Sequence, residues 1–304
     1  MHGILLIDKP GGLTSHDVVR RVRRLLNTRR VGHTGTLDPM ATGVLPVAVG
    51  EGTRLVQFLM EGDKEYRATL HLGIVTETQD AEGRVIEERS LGSITAENVL
   101  QVAARLTGEI LQLPPMYSAL KRDGVPLHRL ARQGIEVERS ARPVTVYRLT
   151  VTRIDLPEVD FTVACSKGTY VRTLAHDLGQ ILGCGAHLTA LRRSRSGPFH
   201  ESDCLSLATL EELGIEALPK LLGPREVLAQ MTALEINHTA AERLKQGIPP
   251  GLDQCLSQPG DEGDQVLLLN EGRTLGIAVF APRREREKRG DFELLRVFNH
   301  PGIW

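Results

Sequence analysis

Apolar runs with two different periods follow one another irregularly along this chain. Residues 64–73 alternate apolar and polar side chains, as a half-buried strand does, whereas Val18, Val22 and Leu25 recur with the spacing of a helix face. No strand–helix–strand unit of about 30 residues is repeated. The pattern therefore predicts an α+β fold built on a mixed sheet, and not a doubly wound parallel sheet.

The composition changes near residues 214–232, where prolines and glycines interrupt the pattern. Beyond this point the sequence predicts a short strand, one helix and three strand-like runs, QVLLL, LGIAVF and FELLRVF. The segment 283–289 has the composition of an exposed charged loop. We therefore expect two domains, a large one over residues 1–225 and a small, mainly β one over residues 232–304.

The distribution of charge limits how this chain can bind a polyanion. Its formal net charge at pH 7 is −1, but residues 1–200 hold 26 lysines and arginines against 21 aspartates and glutamates. Residues 201–304 hold 11 against 17 and are therefore acidic. If the partner is RNA, local basic surfaces must contact its phosphates, because the charge of the whole protein does not attract them.

Several kinds of site and location have no signal in the sequence. The four cysteines are widely spaced, which favours buried thiols over a zinc site or a disulfide framework. Motifs for a phosphate loop, a serine hydrolase, a zinc protease, a zinc deaminase or a dinucleotide are missing, so we expect no metal and no cofactor. No apolar run reaches roughly 18 residues and the N-terminus lacks signal-peptide features. We expect a cytoplasmic protein without a membrane partner.

Asp38 stands in an unusual segment, GHTGTLDPMATG, which spans residues 32–43. Pro39 disfavours the helical region for Asp38, and the flanking glycines let the backbone approach a ligand closely. Such a loop presents a carboxylate from a rigid edge. The alternative interpretation is that the Asp-Pro pair merely opens a turn.

The segment around Asp38 resembles the catalytic motif of the tRNA pseudouridine 55 synthase family, the TruB family. The likeness covers roughly residues 3–200 and rests on several segments in the family's order: DKPGGLTS (8–15), GHTGTLDPMATG (32–43), KEY (64–66), PMYSALK (115–121), CSKGTYVR (165–172), GCGAHL (183–188) and LRR (191–193). The last 70 residues are more weakly similar to the family's PUA-like RNA-binding domain.

The resemblance implies a fold and a reaction. The fold is the pseudouridine synthase fold, a mixed, largely antiparallel sheet flanked by helices, with a PUA-like C-terminal domain. The reaction converts uridine 55 in the T-arm loop of tRNA to pseudouridine, with Asp38 as the nucleophile on a flipped-out base and without a cofactor. A carboxylate can assist the departure of uracil by adding to the sugar, by adding to the base or by removing a ribose proton. The expected partner is the tRNA T-arm stem-loop, bound by a monomer that requires no protein partner.

The resemblance also assigns roles to individual residues. Arg172 is implied as the ion-pair partner of Asp38, and Tyr66 as the ring on which the target uracil stacks. Further contacts to the substrate are implied for four residues: His33, Tyr170, Leu191 and Lys9, the last with a structural role beside the pocket. From the residues alone, Tyr66 is equally well a core residue of its strand, and His33 can instead form a structural hydrogen bond.

Basic segments are expected to supply the phosphate contacts. The helix after Thr14 carries Arg20 and Arg24 on its polar face, together with two further arginines between them. The other candidates are Arg29-Arg30, the basic residues of 121–142, and Arg192, Arg193 and Arg195. Any one of these segments can instead be an ordinary solvated face.

Two other functions remain open at this stage. One is an RNA-binding module or tRNA folding chaperone that has kept the scaffold without the chemistry; loss of Asp38, Tyr66 or Arg172 would favour it, and all three are present. The other is a synthase that acts on ribosomal RNA or is guided by a partner RNA. A guided enzyme is expected to carry longer basic extensions and a different C-terminal half.

Overall fold

The computed structural model describes residues 1–283 and 290–298. Its main element is a ten-stranded mixed sheet, in which eight strands follow the order β14-β1-β3-β12-β4-β11-β10-β7 and two short strands pair at its side. Most neighbouring strands are antiparallel; β1 with β14 and β3 with β12 are the parallel pairs. Helices flank this sheet, so the predicted α+β class with a mixed, largely antiparallel sheet is confirmed.

The strands are β1 (Gly3–Lys9), β2 (Val31–His33), β3 (Thr42–Val49), β4 (Lys64–Leu72), β5 (Ile74–Thr76), β6 (Val85–Glu88), β7 (Gly108–Gln112), β8 (Lys121–Arg122), β9 (Val125–Pro126), β10 (Arg142–Asp155), β11 (Glu158–Cys165), β12 (Ala186–Ser196), β13 (Phe199–His200), β14 (Leu205–Ser206), β15 (Thr232–Glu235), β16 (Gln265–Asn270), β17 (Arg273–Phe280) and β18 (Phe292–Val297). The α-helices are α1 (Ser15–Leu25), α2 (Val56–Met60), α3 (Ala96–Arg105), α4 (Leu127–Ala131), α5 (Val171–Leu182), α6 (Leu207–Leu213), α7 (Pro224–Val227) and α8 (His238–Lys245).

Local sequence signals fix the first helix. The Thr14 hydroxyl accepts a hydrogen bond from the backbone of Asp17 at 3.1 Å, and the Asp17 carboxylate accepts one from the backbone of Thr14 at 2.9 Å. This reciprocal capping box satisfies two amide groups that the first turn of α1 leaves without partners. The valines of the helix are buried against the sheet, so its arginines are left on the outer face.

The strands β7 and β12 of the main sheet were not predicted from the sequence. Residues 107–124 contain two prolines and an Asp-Gly turn signal, yet their first part forms the edge strand β7 beside β10. The strand β12 was not foreseen either, because its sequence AHLTALRRSRS lacks a sustained alternating pattern, yet it lies between β3 and β4. In both cases the pairing partner is distant in the chain, and a local pattern cannot supply it.

The C-terminal part forms a separate four-stranded sheet in the order β15-β16-β17-β18, with α8 packed on it. One face of this sheet shares an apolar cluster with β1, β3 and α2 of the large sheet. The structure thus contains a large mixed sheet and a small C-terminal sheet, as expected. Of the predicted charged loop at 283–289, all but Arg283 lies outside the described residues, as does the end of the predicted second domain, 299–304.

Two expectations about individual features can be checked here. Two of the four cysteines, Cys165 and Cys184, are buried, whereas Cys204 and Cys255 are half-buried, and all four are free thiols. Within residues 1–283 and 290–298, no helix is long and apolar enough to cross a bilayer.

Candidate active site

The loop that carries Asp38 connects β2 to β3 and is fastened by its backbone. The Ser15 hydroxyl at the start of α1 accepts a hydrogen bond from the Leu37 amide at 2.8 Å and donates one to the Leu37 carbonyl at 3.2 Å. The Ala41 amide donates to the Asp38 carbonyl at 3.1 Å, which closes a turn around the Asp-Pro pair. The side chain of Asp38 is 29% exposed, so a well-held loop leaves its carboxylate partly accessible to solvent.

Lys9 holds the same loop in place through hydrogen bonds to its backbone and to the residues before α1. It is fully buried, and its ammonium group donates to the carbonyl oxygens of Pro10 at 2.8 Å, Leu13 at 2.6 Å and Pro39 at 3.1 Å. Burial lowers the pKa of Lys9 to about 8, although the nearby carboxylates of Glu82 and Asp38 oppose that shift. All three ammonium protons are engaged by the backbone, so Lys9 has a structural place beside the site and does not face a ligand.

Arg172, in the first turn of α5, holds the Asp38 carboxylate. Its Nε lies 2.9 Å from Oδ2 of Asp38, and its Nη2 donates to Oδ1 at 3.1 Å. Nη2 also donates to the carbonyl of Tyr117 and Nη1 to the carbonyl of Thr78, both at 2.9 Å. The guanidinium is only 4% exposed, so this expected partner of Asp38 is both present and fixed in orientation.

Asp80 is a second carboxylate on the same guanidinium, and the sequence analysis did not single it out. Its Oδ2 accepts from Nη1 of Arg172 at 3.1 Å, and its Oδ1 accepts from the Thr78 hydroxyl at 2.5 Å and the Glu82 amide at 3.1 Å. The carboxylate is buried. One guanidinium thus joins a partly exposed acid, Asp38, to a buried acid, Asp80, and is oriented by both.

The environment raises the pKa of Asp38 above its usual value. Burial is the main cause, because it penalises the charged form, and the Asp80 carboxylate adds to it. The charges of Arg172 and Lys9 oppose this shift, as does the hydrogen bond from Arg172. The carboxylate is therefore less well solvated than an ordinary aspartate, a condition that makes it a stronger base or nucleophile when it is ionised.

Tyr66 and Leu191 lie side by side on the strands next to the Asp38 loop. Tyr66 is on β4 and Leu191 on β12, where Leu191 pairs with Ala68, two residues beyond Tyr66. Both side chains are almost buried and belong to the same apolar cluster. Burial raises the pKa of Tyr66, so its phenol is neutral near pH 7. The geometry is compatible with a flat apolar wall beside Asp38.

Arg193 was expected to contact RNA phosphates, and this expectation is wrong. The side chain is 1% exposed, and it donates from Nε to the Val44 carbonyl at 2.7 Å and from Nη2 to the Gly35 carbonyl at 3.2 Å. The backbone of Arg193 approaches Gly43 so closely that a Cβ at Gly43 would lie 2.2 Å from its carbonyl oxygen. Gly43 therefore serves the packing of β3 on β12, and not the approach of a ligand.

Two protein-family models match this chain. Residues 23–171 match the model of the N-terminal domain of TruB family pseudouridylate synthases, and residues 172–233 match that of the C-terminal domain of tRNA pseudouridylate synthase B. The chain is 51% identical over 304 residues to a tRNA pseudouridine synthase B of Syntrophotalea carbinolica, covering 99% of each protein. It belongs to the TruB family of pseudouridylate synthases. The tRNA pseudouridine synthase B of Geobacter sulfurreducens is 49% identical over 98% of this chain and 100% of that protein.

Solved structures resemble this TruB-family chain over almost its whole length. A chain in the crystal structure of a Cbf5-Nop10-Gar1 complex superposes with a TM-score of 0.73 and 29% identity, covering 97% of this chain and 84% of that one. A chain in a structure of an H/ACA RNP bound to a substrate RNA containing 2′-deoxyuridine gives a TM-score of 0.73 and 27% identity, covering 99% and 88%. The pseudouridine synthase fold is therefore shown for both sheets.

Two aromatic side chains complete the surroundings of the site in this TruB-family chain. His33 ends β2 and is half-buried; its Nδ1 is buried and forms no hydrogen bond, so this nitrogen does not make the structural bond that the sequence left open. Burial and the charge of Arg193 lower the pKa of His33. Tyr170 caps α5, and its backbone exchanges hydrogen bonds with the Gln112 side chain at 2.7 and 3.1 Å, which ties it to β7.

The arginines of α1 differ in how much charge they present. Arg20 pairs with Asp17, and Arg21 pairs with Glu211 at 2.9 Å, whereas Arg24 is exposed and forms no ion pair with another described residue. Arg23 instead donates to the Val31 carbonyl at 2.8 Å and has a structural role. The polar face expected to bind phosphates is therefore made by Arg20, Arg21 and Arg24.

The two remaining arginines of β12 are partly neutralised. Arg192 pairs with Asp8 at 2.9 Å and with Glu201 at 2.7 Å, and Arg195 pairs with Glu65 at 3.0 Å. An arginine already paired with carboxylates offers less charge to a phosphate than a free one. The sequence could not show these pairs, because their members lie on different elements of the fold.

Proposed function

We propose that this chain is a tRNA pseudouridine synthase that isomerises uridine 55 in the T-arm loop, with Asp38 as the nucleophile on a flipped-out base. The observation that supports it most is the carboxylate of Asp38, partly exposed and held by the buried guanidinium of Arg172, beside Tyr66. Such an arrangement gives one reactive oxygen a fixed direction. The wider site offers aromatic rings on which unpaired bases can stack.

The reaction is an isomerisation in which Asp38 takes the central part. The bond from N1 of uracil to C1′ of ribose breaks and its electron pair leaves with the base; Asp38 assists from the side of the sugar or the base. The base turns while it is held, and the pair forms the bond between C5 and C1′. C5 then loses its proton and N1 gains one, so the product is an isomer and no electron is gained or lost overall.

The target base must leave the folded loop before it can meet Asp38. Tyr66 and Leu191 form the apolar wall described above, and Tyr170 stands at the start of α5 next to Arg172. We propose that the extruded uracil stacks on Tyr66 while Tyr170 and Leu191 close the pocket around it. His33, at the end of β2, would stack on a base of the loop that the extrusion leaves exposed.

The names of the relatives favour tRNA as the substrate. Proteins called tRNA pseudouridine synthase B are 49–51% identical to this chain, whereas chains from the Cbf5 and H/ACA structures are 27–29% identical. The names of those structures include partner proteins or a substrate RNA. For this chain we propose action as a cytoplasmic monomer, without protein partner or guide, on the T-arm itself.

Mapping of the modified position tests the proposal. Purified protein is incubated with a tRNA transcript and with an isolated T-arm hairpin, and pseudouridine is located by chemical derivatisation and primer extension. We expect one new pseudouridine, at position 55, in both RNAs, because the pocket and the α1 face need only that arm. Modification at another position, or RNA binding without any pseudouridine, would contradict the proposal and favour a different substrate or a chaperone.

A further inference from the structure

Arg193 is buried at the junction of the three strands that surround the Asp38 loop. It lies on β12, paired in register with Gly43 of β3 on one side and with Tyr66 of β4 on the other. Its guanidinium binds the carbonyl oxygens of Gly35 and Val44, and these two residues flank Asp38 in the chain. One side chain thus fastens both ends of the loop that carries the carboxylate.

Among residues 1–283 and 290–298, no carboxylate pairs with the charge of this guanidinium. In the described part of the chain, the Arg193 side chain donates to carbonyl oxygens and its residue is paired in register with Tyr66, and no ion pair involves it. Its neighbour Arg192, on the other face of the same strand, pairs with two carboxylates. Burial of an unpaired charge is strongly unfavourable, so a fold that keeps one beside its reactive site calls for a reason beyond packing.

The positive charge of Arg193 affects the pKa values of the groups around it. Arg193 acts to lower the pKa values of His33, Lys9 and Lys64, although burial is the larger cause for each of them. It also opposes the rise in the pKa of Tyr66, both by its charge and by a hydrogen bond. The charge of Arg193 therefore acts on several groups around it, including the ring on which the uracil is proposed to stack.

Resting on the function proposed above, we propose that Arg193 is a positioning residue of the same reaction. It acts through Tyr66 and the Asp38 loop, and it places a positive charge behind the detached uracil. When the N1–C1′ bond breaks, the electron pair gives the base a negative charge that is spread over N1, O2 and O4. A fixed cation in a dry pocket wall stabilises such a charge without reorganisation. The pair returns to ribose in the C5–C1′ bond, so Arg193 neither donates nor accepts a proton.

A pair of variants separates the charge of Arg193 from its hydrogen bonds. Arg193→Gln and Arg193→Lys both keep hydrogen-bond donors, but only the second keeps the charge. Arg67→Gln is the matched control, because Arg67 is the next residue after Tyr66 on β4, is half exposed and pairs with Glu201. For each folded variant, the affinity for a T-arm hairpin and the single-turnover rate of pseudouridine formation are measured.

We expect Arg193→Gln to react about 100-fold more slowly than the unsubstituted protein, and Arg193→Lys about tenfold faster than Arg193→Gln. Hairpin affinity is expected to change less than about twofold in all three variants, since Arg193 is not exposed to a phosphate. Equal rates for Arg193→Gln and Arg67→Gln would overturn the proposal. The proposal would also be overturned if Arg193→Gln and Arg193→Lys had equal, lowered rates and equally lowered melting temperatures. Arg193 would then have a purely structural role.

A spectroscopic measurement on the protein without RNA gives an independent check. The chain has four tyrosines, so a tyrosine ring labelled with ¹³C at Cζ gives few signals, and Tyr66→Phe assigns the one from Tyr66. In Arg193→Gln this signal should titrate at higher pH than in Arg193→Lys; the same titration in both contradicts the contact. If the unsubstituted protein and Arg67→Gln form no pseudouridine, the proposed function has failed, whereas the titration still tests the contact of Arg193 with Tyr66.

Discussion

The buried and the exposed arginines of this protein are organised in opposite ways. Arg172 and Arg193 are 4% and 1% exposed and bind several backbone carbonyls, while Arg20 on α1 has a side chain that is 65% exposed. The buried pair holds the surroundings of Asp38 from two elements, Arg172 from the first turn of α5 and Arg193 from β12. The exposed group lies on a single helix face, and two of its members pair with carboxylates on the protein surface.

This difference in burial determines what each group of arginines can do. A buried guanidinium with fixed partners holds other groups in place, so its replacement should change the rate of a reaction and not the affinity for a polyanion. An exposed arginine on a helix contributes through long-range attraction that salt screens, so its replacement should change affinity and leave the rate on bound RNA alone. The following predictions test this division, beginning with the largest effect.

Tyr66→Ala is expected to lower the single-turnover rate by about 1000-fold, because loss of the ring misplaces the uracil against Asp38 and positioning governs the chemical step. His33→Ala is the matched comparison at the rim. It should slow modification by roughly 10-fold without abolishing it, since base stacking contributes about 1–3 kcal/mol and His33 takes part in no bond change. A Tyr66→Ala protein of verified fold that reacts as fast as His33→Ala would contradict the assignment of Tyr66 as the ring on which the uracil stacks.

Arg172→Lys is expected to lower the rate by about 100-fold while RNA affinity stays within about twofold. Lysine keeps the charge but cannot contact both oxygens of Asp38 and the carboxylate of Asp80 together. Rate and affinity are both measured with the T-arm hairpin, and thermal unfolding reports on the fold. A parallel loss of affinity and rate would mean that Arg172 belongs with the exposed arginines, contrary to its burial.

The pH dependence of the rate tests the electrostatics of Asp38. Its pKa is raised, mainly by burial, so the fraction ionised falls as the pH drops through a value above the ordinary 3.9 of an aspartate. The rate should fall with it, and the acid limb of the profile should lie above about pH 3.9. Asp80→Asn removes a neighbouring negative charge, so it should shift this limb to lower pH. A limb that stays in place would show that Asp80 acts only by orienting Arg172.

Replacement of Arg20, Arg21 and Arg24 by alanine should have the smallest effect on chemistry. We expect weaker RNA binding and an unchanged rate at saturating RNA. The slope of the logarithm of the binding constant against the logarithm of the salt concentration should become smaller in magnitude by about 0.7–0.9 for each phosphate no longer bound. Since two of these arginines are already paired with carboxylates, the slope should change by less than the amount expected for three phosphates. An unchanged slope would mean that this helix face is merely solvated.

The sequence was informative where a signal is local. The helix after Thr14, the alternation of β4 and the Asp-Pro turn each depend on neighbouring residues, and the structure has all three. The pairing of Asp38 with Arg172 came from the resemblance to a family, since 134 positions separate these two residues. No local pattern could have supplied that pairing.

Other parts of the site depended on partners that the sequence does not reveal. Asp80 looks like an ordinary loop acid until Arg172 is brought to it, and Arg193 looks like one basic residue in a basic run until β12 is placed between β3 and β4. Arg23 was grouped with its exposed neighbours because only the position of Val31 shows that its side chain is used by the backbone. These features follow from tertiary pairing, which only the structure specifies.

The central claim is that the Asp38 carboxylate performs the chemistry while other residues bind the RNA. Asp38→Asn is nearly isosteric and keeps the loop, but it removes the nucleophile or base. We therefore expect the Asp38→Asn protein to bind the T-arm hairpin with the affinity of the unsubstituted protein, within about twofold, and to form no detectable pseudouridine in a single-turnover assay. Measurable turnover by Asp38→Asn protein of verified sequence would contradict the account.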